Sequence, residues 1–322
     1  MSGFSTQWLA MRESADAQAR SDGPVDALNH WLRDRSALNI IDLGCGSGSN
    51  LRWLAPRLAA RQNWHLFDDD PLLLSQAGPS LHDWASIRSE APRVIEQLSP
   101  ALRIAQVDGA DAFALGAGLT AHLAQCDLSR QFPALHDADL LCASALLDLV
   151  SKDWLSALLA RCAQAQVAVY FALSYDGRAR FSPAHADDAM IRDAINRDQC
   201  ADKGFGPALG PDCIAVLNSQ CQTHGYRVQQ WRSDWQLGAD ESFVHAQLIT
   251  DFAQIAARNV PRDLQARVLA WQGWRRENLN RSSLLIGHVD ALALPWNSRT
   301  DVASQAGEDD PHALASPAPS SS

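Results

Sequence analysis

Asn39-Ile40-Ile41-Asp42-Leu43-Gly44-Cys45-Gly46-Ser47-Gly48 is an apolar run that breaks into alternating glycines. Five residues of this kind ahead of a glycine cluster read as a short buried strand. Glycines in alternation permit unusual backbone angles and let a ligand approach the main chain. A helix should follow, with Ser49 or Asn50 as its N-cap and Leu51, Leu54 and Leu58 along one face. The next apolar run, Trp64-His65-Leu66-Phe67, reads as a second strand and ends at Asp68-Asp69-Asp70-Pro71. There Asp70 suits a cap and Pro71 the first turn of a helix.

Working outward, residues 139–143 and 167–173 read as further buried strands, with a helix over 154–163 between them. Strand, helix and strand at this spacing imply parallel β-α-β units with both sheet faces covered. Residues 102–107 and 119–126 read as a hairpin addition and a third core strand. Upstream, 6–20 and 25–35 read as helices separated at Asp22-Gly23-Pro24. Downstream, 226–231 and 283–289 read as strands, and 241–257 and 261–278 as helices. The expected organisation is an N-terminal helical arm (1–37), a nucleotide-binding core (38–176), a helical cap (177–222), the rest of the sheet with C-terminal helices (223–296), and a disordered Ser/Pro/Ala/Asp-rich tail (297–322).

Composition narrows the function. The chain has 322 residues and a formal net charge of −10, with no Lys/Arg cluster to offset it. Such a surface repels phosphate backbones, so a nucleic-acid partner is not expected. No run of 18 apolar residues occurs, so no membrane span is expected. The seven cysteines are scattered without a CxxC pair, which fits neither a disulfide framework nor a zinc site. No metal is expected, and a reducing cytoplasm fits best. Most of the eleven tryptophans are expected to fill the core.

A glycine turn followed by an acid 20 residues after Gly48 can seat a ribose on Asp68, and by itself this also fits a dinucleotide enzyme. Three features shift the balance. The dinucleotide pattern needs Gly where Ser49 stands. Asp42 lies on the strand just ahead of the glycines. Asp127, in Cys126-Asp127-Leu128, follows the third strand, where it can meet an adenine amino group.

With Ile41-Asp42-Leu43-Gly44-Cys45-Gly46-Ser47-Gly48, Phe67-Asp68-Asp69-Asp70-Pro71 and Asp127-Leu128 in this order, residues 38–176 resemble the class I S-adenosylmethionine-dependent methyltransferases. The resemblance implies a Rossmann-like α/β fold: a seven-stranded, mostly parallel sheet with its last strand antiparallel and helices on both faces. It implies S-adenosylmethionine as cofactor, with Asp42, Gly44, Cys45, Gly46, Gly48 and Asn50 around the methionine part. Asp68 and Asp69 would serve the ribose, Asp127 and Leu128 the adenine, and Ser144 would lie beside them. The ligand chemistry agrees, because the cofactor carries a sulfonium and an ammonium but no phosphate, and the glycine loop holds no Lys or Arg.

Ligands of open α/β sheets bind at the carboxyl ends of the strands. The methyl acceptor, expected to be a small molecule, would then meet Asp148, Tyr175, Arg178 and, from the cap, Lys203. Asp148 is a candidate general base and Tyr175 a second catalytic candidate. The arm carries Trp8, Arg12 and Arg20; in relatives of this fold such an arm often folds over the cofactor, which would let Arg12 pair with the methionine carboxylate. His245 is expected to pack rather than react. Transfer would be direct and in line. The alternatives are a silent cofactor-binding scaffold and a nicotinamide-dependent oxidoreductase. The acceptor and the oligomeric state are not legible in the sequence.

Overall fold

The computed structural model describes residues 5–90, 111–114, 118–296 and 313–314. Two helices open the chain, α1 (Thr6–Ala19) and α2 (Gly23–Trp31), with Ser5 capping the first through the Trp8 amide. Then come β1 (Ala37–Leu43), α3 (Ser49–Leu54), β2 (Arg61–Asp68) and α4 (Pro71–Glu90). Neither Ser49 nor Asn50 caps α3: Gly48 holds the cap position in a left-handed conformation, and Asn50 is turned inward. At the next junction Asp70 Oδ1 accepts from the Leu72 amide ahead of α4, as its placement before Pro71 suggests.

β3 (Asp111–Ala114) and β4 (Leu119–Gln125) form an antiparallel pair, and β4 is the third core strand. The strand expected over 102–107 lies outside the described residues. β5 (Leu140–Ser144), α5 (Lys152–Ala165) and β6 (Ala168–Ser182) complete the first half of the sheet. α6 (Asp188–Gln199), α7 (Cys213–Thr223), β7 (Tyr226–Arg232), β8 (Trp235–Leu237), α8 (Ser242–Asn259), α9 (Gln265–Glu277) and β9 (Ser283–Pro295) follow. In the tail, β10 (Ala313–Leu314) pairs antiparallel with β7, and the remainder of 297–322 lies outside the described residues.

The core of the sheet runs β4-β2-β1-β5-β6-β9-β7, with β3 and β10 on its outer edges and β8 paired to β9. β1, β2, β4, β5 and β6 are parallel, and β9 lies antiparallel to both β6 and β7. The seven expected strands are thus present, with the last one reversed, and the additional pairings extend rather than reorder them. The chain winds outward in opposite directions from β1 and β5. Their carboxyl ends are the switch point at which such sheets open a crevice.

Residues alternate between the faces, as strands require. Ile40, Trp64, Leu66, Leu140 and Tyr170 pack toward α2, α3 and α4. Ile41, Leu43, Leu141, Val169 and Phe171 pack toward α5 and α7. Six of the eleven tryptophans are buried.

β6 does not stop at residue 173. Register shifts after Phe171 and after Tyr175 carry it on to Ser182, and with β9 and β8 it forms a ribbon projecting past the end of β5. α1, α6, α8 and α9 pack on this ribbon around Phe181, Trp235, Ile249 and Trp271. Part of the stretch expected to be a cap is therefore strand, and α7 covers the sheet itself. Gly287 on β9 permits the crossing: a Cβ there would run into Asp176 Oδ1 and lie 2.8 Å from Arg178.

Candidate functional site

The glycine loop leaves β1 with Gly44, Gly46 and Gly48 at φ of +66°, +53° and +83°, a region that L side chains rarely occupy. The loop is fastened to the end of β2. The Cys45 amide donates to the Phe67 carbonyl (3.0 Å) and the Gly46 amide to Asp68 Oδ2 (2.8 Å). The Asp70 amide donates to Asp68 Oδ1 (3.0 Å). One carboxylate thus ties together the two turns that flank the crevice. A carboxylate offers about four lone-pair sites, so each oxygen can still accept one hydroxyl. Burial raises the pKa of Asp68, and the Asp70 and Gly46 amides oppose that rise. Asp69 is exposed, and its carbonyl accepts from Gln125.

Beneath the loop, Asp42 is fully buried. Its Oδ1 accepts from Asn50 Nδ2 (2.8 Å), which also lies 3.3 Å from Cys142 Sγ, while Oδ2 has no partner. Burial pushes the Asp42 pKa up to about 7, against the Asn50 and Cys142 hydrogen bonds and the nearby Arg20. Arg20 enters between the Trp53 and Tyr170 rings (4.0 and 5.5 Å) and donates to Asn50 Oδ1 (2.8 Å). Tyr170 donates to Asp290 Oδ2 (2.9 Å), and Asp290 Oδ1 accepts from the Leu173 amide (2.8 Å). The network therefore runs from the glycine loop to the kink of β6, where Leu173 has φ +53°. Sequence reading missed Tyr170 and Asp290, and named Arg20 only as a residue of the arm. The available signal was an acid inside the apolar run Val289-Asp290-Ala291-Leu292.

Asp127 lies at the end of β4 but faces its own turn. Its Oδ1 accepts from the Ser129 amide (3.0 Å) and hydroxyl (2.5 Å), and its Oδ2 pairs with Arg130 (3.0 Å). The Ser129 hydroxyl lowers its pKa most. Leu128 is buried, and its carbonyl accepts from Trp154 Nε1 (2.7 Å). Ser144 closes β5 and is partly buried.

Past β5, Asp148 is buried beside the β6 ribbon with Oδ1 unpartnered. Burial pushes its pKa up to about 6, against its own amide, the Tyr175 amide, Arg12 and Lys203. Tyr175 is also buried, and its hydroxyl donates to Asn196 Oδ1 (2.7 Å). Its cross-strand partner His288 lies with its ring 6.2 Å away. Burial holds the His288 pKa down at about 3, with Arg12 acting in the same direction, and Nδ1 has no partner. Arg178 is held by Asp176 and Asp234 (2.5 and 2.6 Å), and Lys203 by Asp198 (2.9 Å). His245 is buried in α8, away from these groups.

The arm covers this end of the sheet. Leu9 Cδ1 lies 3.2 Å from where a Cβ on Gly46 would be. Glu13 holds Arg52 with two bonds (2.6 and 2.7 Å), and Trp53 Nε1 donates to the Ala17 carbonyl (3.2 Å). Arg12 pairs with Asp16 (2.9 Å) and lies 4.9 Å from the Trp235 ring centroid, while Trp235 Nε1 donates to Asp16 Oδ1 (3.0 Å). The structure therefore gathers Asp42, the three glycines, Asn50 and Asp68 at one place, and Arg12, Asp148, Tyr175 and His288 at the adjoining one. It leaves Asp127, Arg178 and Lys203 engaged with neighbours of their own.

No helix among the described residues is long and apolar enough to cross a membrane. All seven cysteines are free.

No family model matches the chain. No curated protein matches it either. Among solved structures it is similar to a SAM-dependent methyltransferase from Thiobacillus denitrificans in complex with S-adenosyl-L-homocysteine, at 13% identity over 90% of this chain and 99% of that one, with a TM-score of 0.41. It is also similar to a cyclopropane-fatty-acyl-phospholipid synthase-like protein from Lactobacillus casei, at 13% identity, 88% and 99% coverage and a TM-score of 0.46. A third is a SAM-dependent methyltransferase from Geobacter sulfurreducens in complex with S-adenosyl-L-homocysteine, at 13% identity, 88% and 98% coverage and a TM-score of 0.37. The order of the strands and the reversal of β9 give the chain a Rossmann-like α/β fold, the arrangement implied by the sequence resemblance of residues 38–176 to the class I S-adenosylmethionine-dependent methyltransferases.

Proposed function

We propose that the protein binds S-adenosylmethionine in the crevice between the glycine loop and Asp68 and transfers its methyl group to a small-molecule acceptor. The supporting observation is the Asp68 carboxylate, fixed by the Gly46 and Asp70 amides with lone pairs left over at the mouth of a loop free of side chains at 44, 46 and 48. Those lone pairs suit two ribose hydroxyls. The orphaned Asp42 Oδ2 and the absence of Lys and Arg from the loop suit a cationic ligand rather than a phosphate.

When bound, this cofactor supplies an electrophilic methyl group on a sulfonium, already a good leaving group. The protein's part is alignment and exclusion of water, worth about 7–11 kcal/mol where positioning is ideal. α1 excludes water by lying on the crevice with Leu9 against Gly46. Arg12 bonds Asp16 through Nε and Nη2 and would meet the methionine carboxylate through Nη1 or by leaving Asp16. Ser144 closes the strand next to the crevice, and Asp148 stands beyond it with a free oxygen.

The test is calorimetry with S-adenosylhomocysteine. Asp68→Ala should weaken binding by at least about tenfold through loss of charge-assisted hydrogen bonds. Unchanged affinity, or binding of NADH in place of S-adenosylhomocysteine, overturns the reading.

A further inference from the structure

The groups beyond the glycine loop have an unbalanced hydrogen-bond character. Asp148 Oδ1 and His288 Nδ1 are buried, unpartnered and both within the field of Arg12. They are grouped about Tyr175, whose amide bonds Asp148 and whose cross-strand partner is His288. A carboxylate is an acceptor only, and a neutral imidazole with hydrogen on Nε2 presents a lone pair at Nδ1. The complement of two acceptors is a ligand rich in donors.

The cations nearby are already taken. Arg12 holds Asp16, Arg52 holds Glu13, Arg178 holds Asp176 and Asp234, and Lys203 holds Asp198. Each of these four therefore already faces a carboxylate, which weakens its pull on a carboxylate or phosphate ligand. A cation already acts on both groups: the Arg12 guanidinium, 4.9 Å from the centroid of the Trp235 ring. Aromatic faces attract cations with or without a protein attached.

Resting on the methyltransferase reading above, we propose that the acceptor is a small amine that enters as an ammonium ion, takes the place of Arg12 against Trp235, and gives its N–H donors to Asp148 Oδ1 and His288 Nδ1. Asp148 then takes one proton, leaving R–NH2 and a neutral carboxyl. The amine lone pair forms the N–C bond as the C–S bond breaks, and sulfur keeps that electron pair. The products are R–NH2–CH3 carrying one positive charge, and the neutral thioether. A carboxyl with its pKa pushed up to about 6 by burial is a better proton acceptor than an exposed one. The sulfonium beside it favours loss of the ammonium proton, because two like charges in a dry site repel. If the cofactor carboxylate draws Arg12 off Asp16, the same movement clears the Trp235 face.

The experiment uses the full chain with S-adenosylhomocysteine and a size-matched set of probes: benzylamine, benzyl alcohol, benzoate and phenyl phosphate. Binding is followed by ligand-observed NMR. Benzylamine should bind most tightly. Asp148→Asn should weaken it by about 30-fold, as expected for loss of a buried charged partner, while S-adenosylhomocysteine binding is retained. Measured without S-adenosylhomocysteine, Arg12→Ala should tighten benzylamine binding by removing its competitor, an effect that a purely structural arginine would not give. A preference for benzoate or phenyl phosphate overturns the proposal. So does benzylamine binding that Asp148→Asn leaves unchanged, weaker amine binding in Arg12→Ala, or no amine binding at all. If S-adenosylhomocysteine itself fails to bind, the methyltransferase reading falls; if it binds and amines do not, only this inference falls.

Discussion

Replacing Asp42 by asparagine should make the protein more tolerant of alkaline pH while weakening its hold on a cationic ligand. Asp42 is fully buried, and its pKa is pushed from 3.8 to about 7, first by burial. Because the folded pKa is the higher one, the folded state binds this proton more tightly. The stabilisation is complete below the unfolded value and is lost as pH rises through about 7. At 1.36 kcal/mol per unit, the wild type loses about 3 kcal/mol from this group between about pH 5 and pH 8. The amide that Asp42→Asn introduces cannot ionise, and its oxygen can still accept from Asn50 Nδ2. Its new N–H pair takes the place of the unpartnered Oδ2 and costs about 1–3 kcal/mol at every pH. Urea melts of both proteins at the two pH values isolate the effect, since other titrating groups such as His288 cancel in the difference. The variant should gain about 3 kcal/mol relative to wild type on going from the lower to the higher pH. It should also bind S-adenosylhomocysteine, which keeps the ammonium, about tenfold less tightly. A difference independent of pH, or one that grows unfavourable as pH rises, refutes the reasoning.

Two further substitutions test the scaffold. Gly287→Ala would drive a Cβ into Asp176 and Arg178; chemical denaturation should show a loss of about 2 kcal/mol, in the range for overpacking, and a variant as stable as wild type contradicts the close crossing of β6 and β9. Ser151 caps α5 by accepting from the Trp154 amide (3.2 Å), so Ser151→Ala should lower stability by about 1 kcal/mol in the same assay, and no change would show that the cap contributes nothing.

What could be read from the sequence followed the periodicities. β1, β2, β5 and the first half of β6 are short apolar runs between turn residues, and each sits where its run predicts. β6 beyond residue 173 was illegible because Asp176, Gly177 and Arg178 look like a loop. They can stay in a strand because Arg178 bridges Asp176 and, across the ribbon, Asp234, which is 56 positions away in sequence. Separation in sequence also hides the capping of α3: Asn50 looks like a helix cap until Arg20 and Cys142, 30 and 92 positions away, surround it with Asp42. That Asp42, Gly44, Gly46, Gly48 and Asp68 come together was legible because their spacing is local to one β-α-β unit. His288 was not, since an isolated histidine in an apolar strand gains meaning only from Tyr175, Trp235 and Arg12, which come from three other elements.

Charge placement links the two parts of the proposed site. Asp42 and Asp148 are buried carboxyls, each with an oxygen left without a partner, and both have raised pKa values because burial disfavours their charge. A protein selected only for stability would replace such groups or pair them. Here the available pairing residues are spent elsewhere: Arg20 donates to Asn50 rather than to Asp42, and Arg12 bonds Asp16 rather than Asp148. Two unfilled acceptors, one under the glycine loop and one past β5, would be satisfied together by the proposed ligands, which bring positive charge to both positions. Binding one cation would draw a proton off the neighbouring carboxyl, so ligand affinity should rise with pH through about 6–7, the interval in which these two acids ionise.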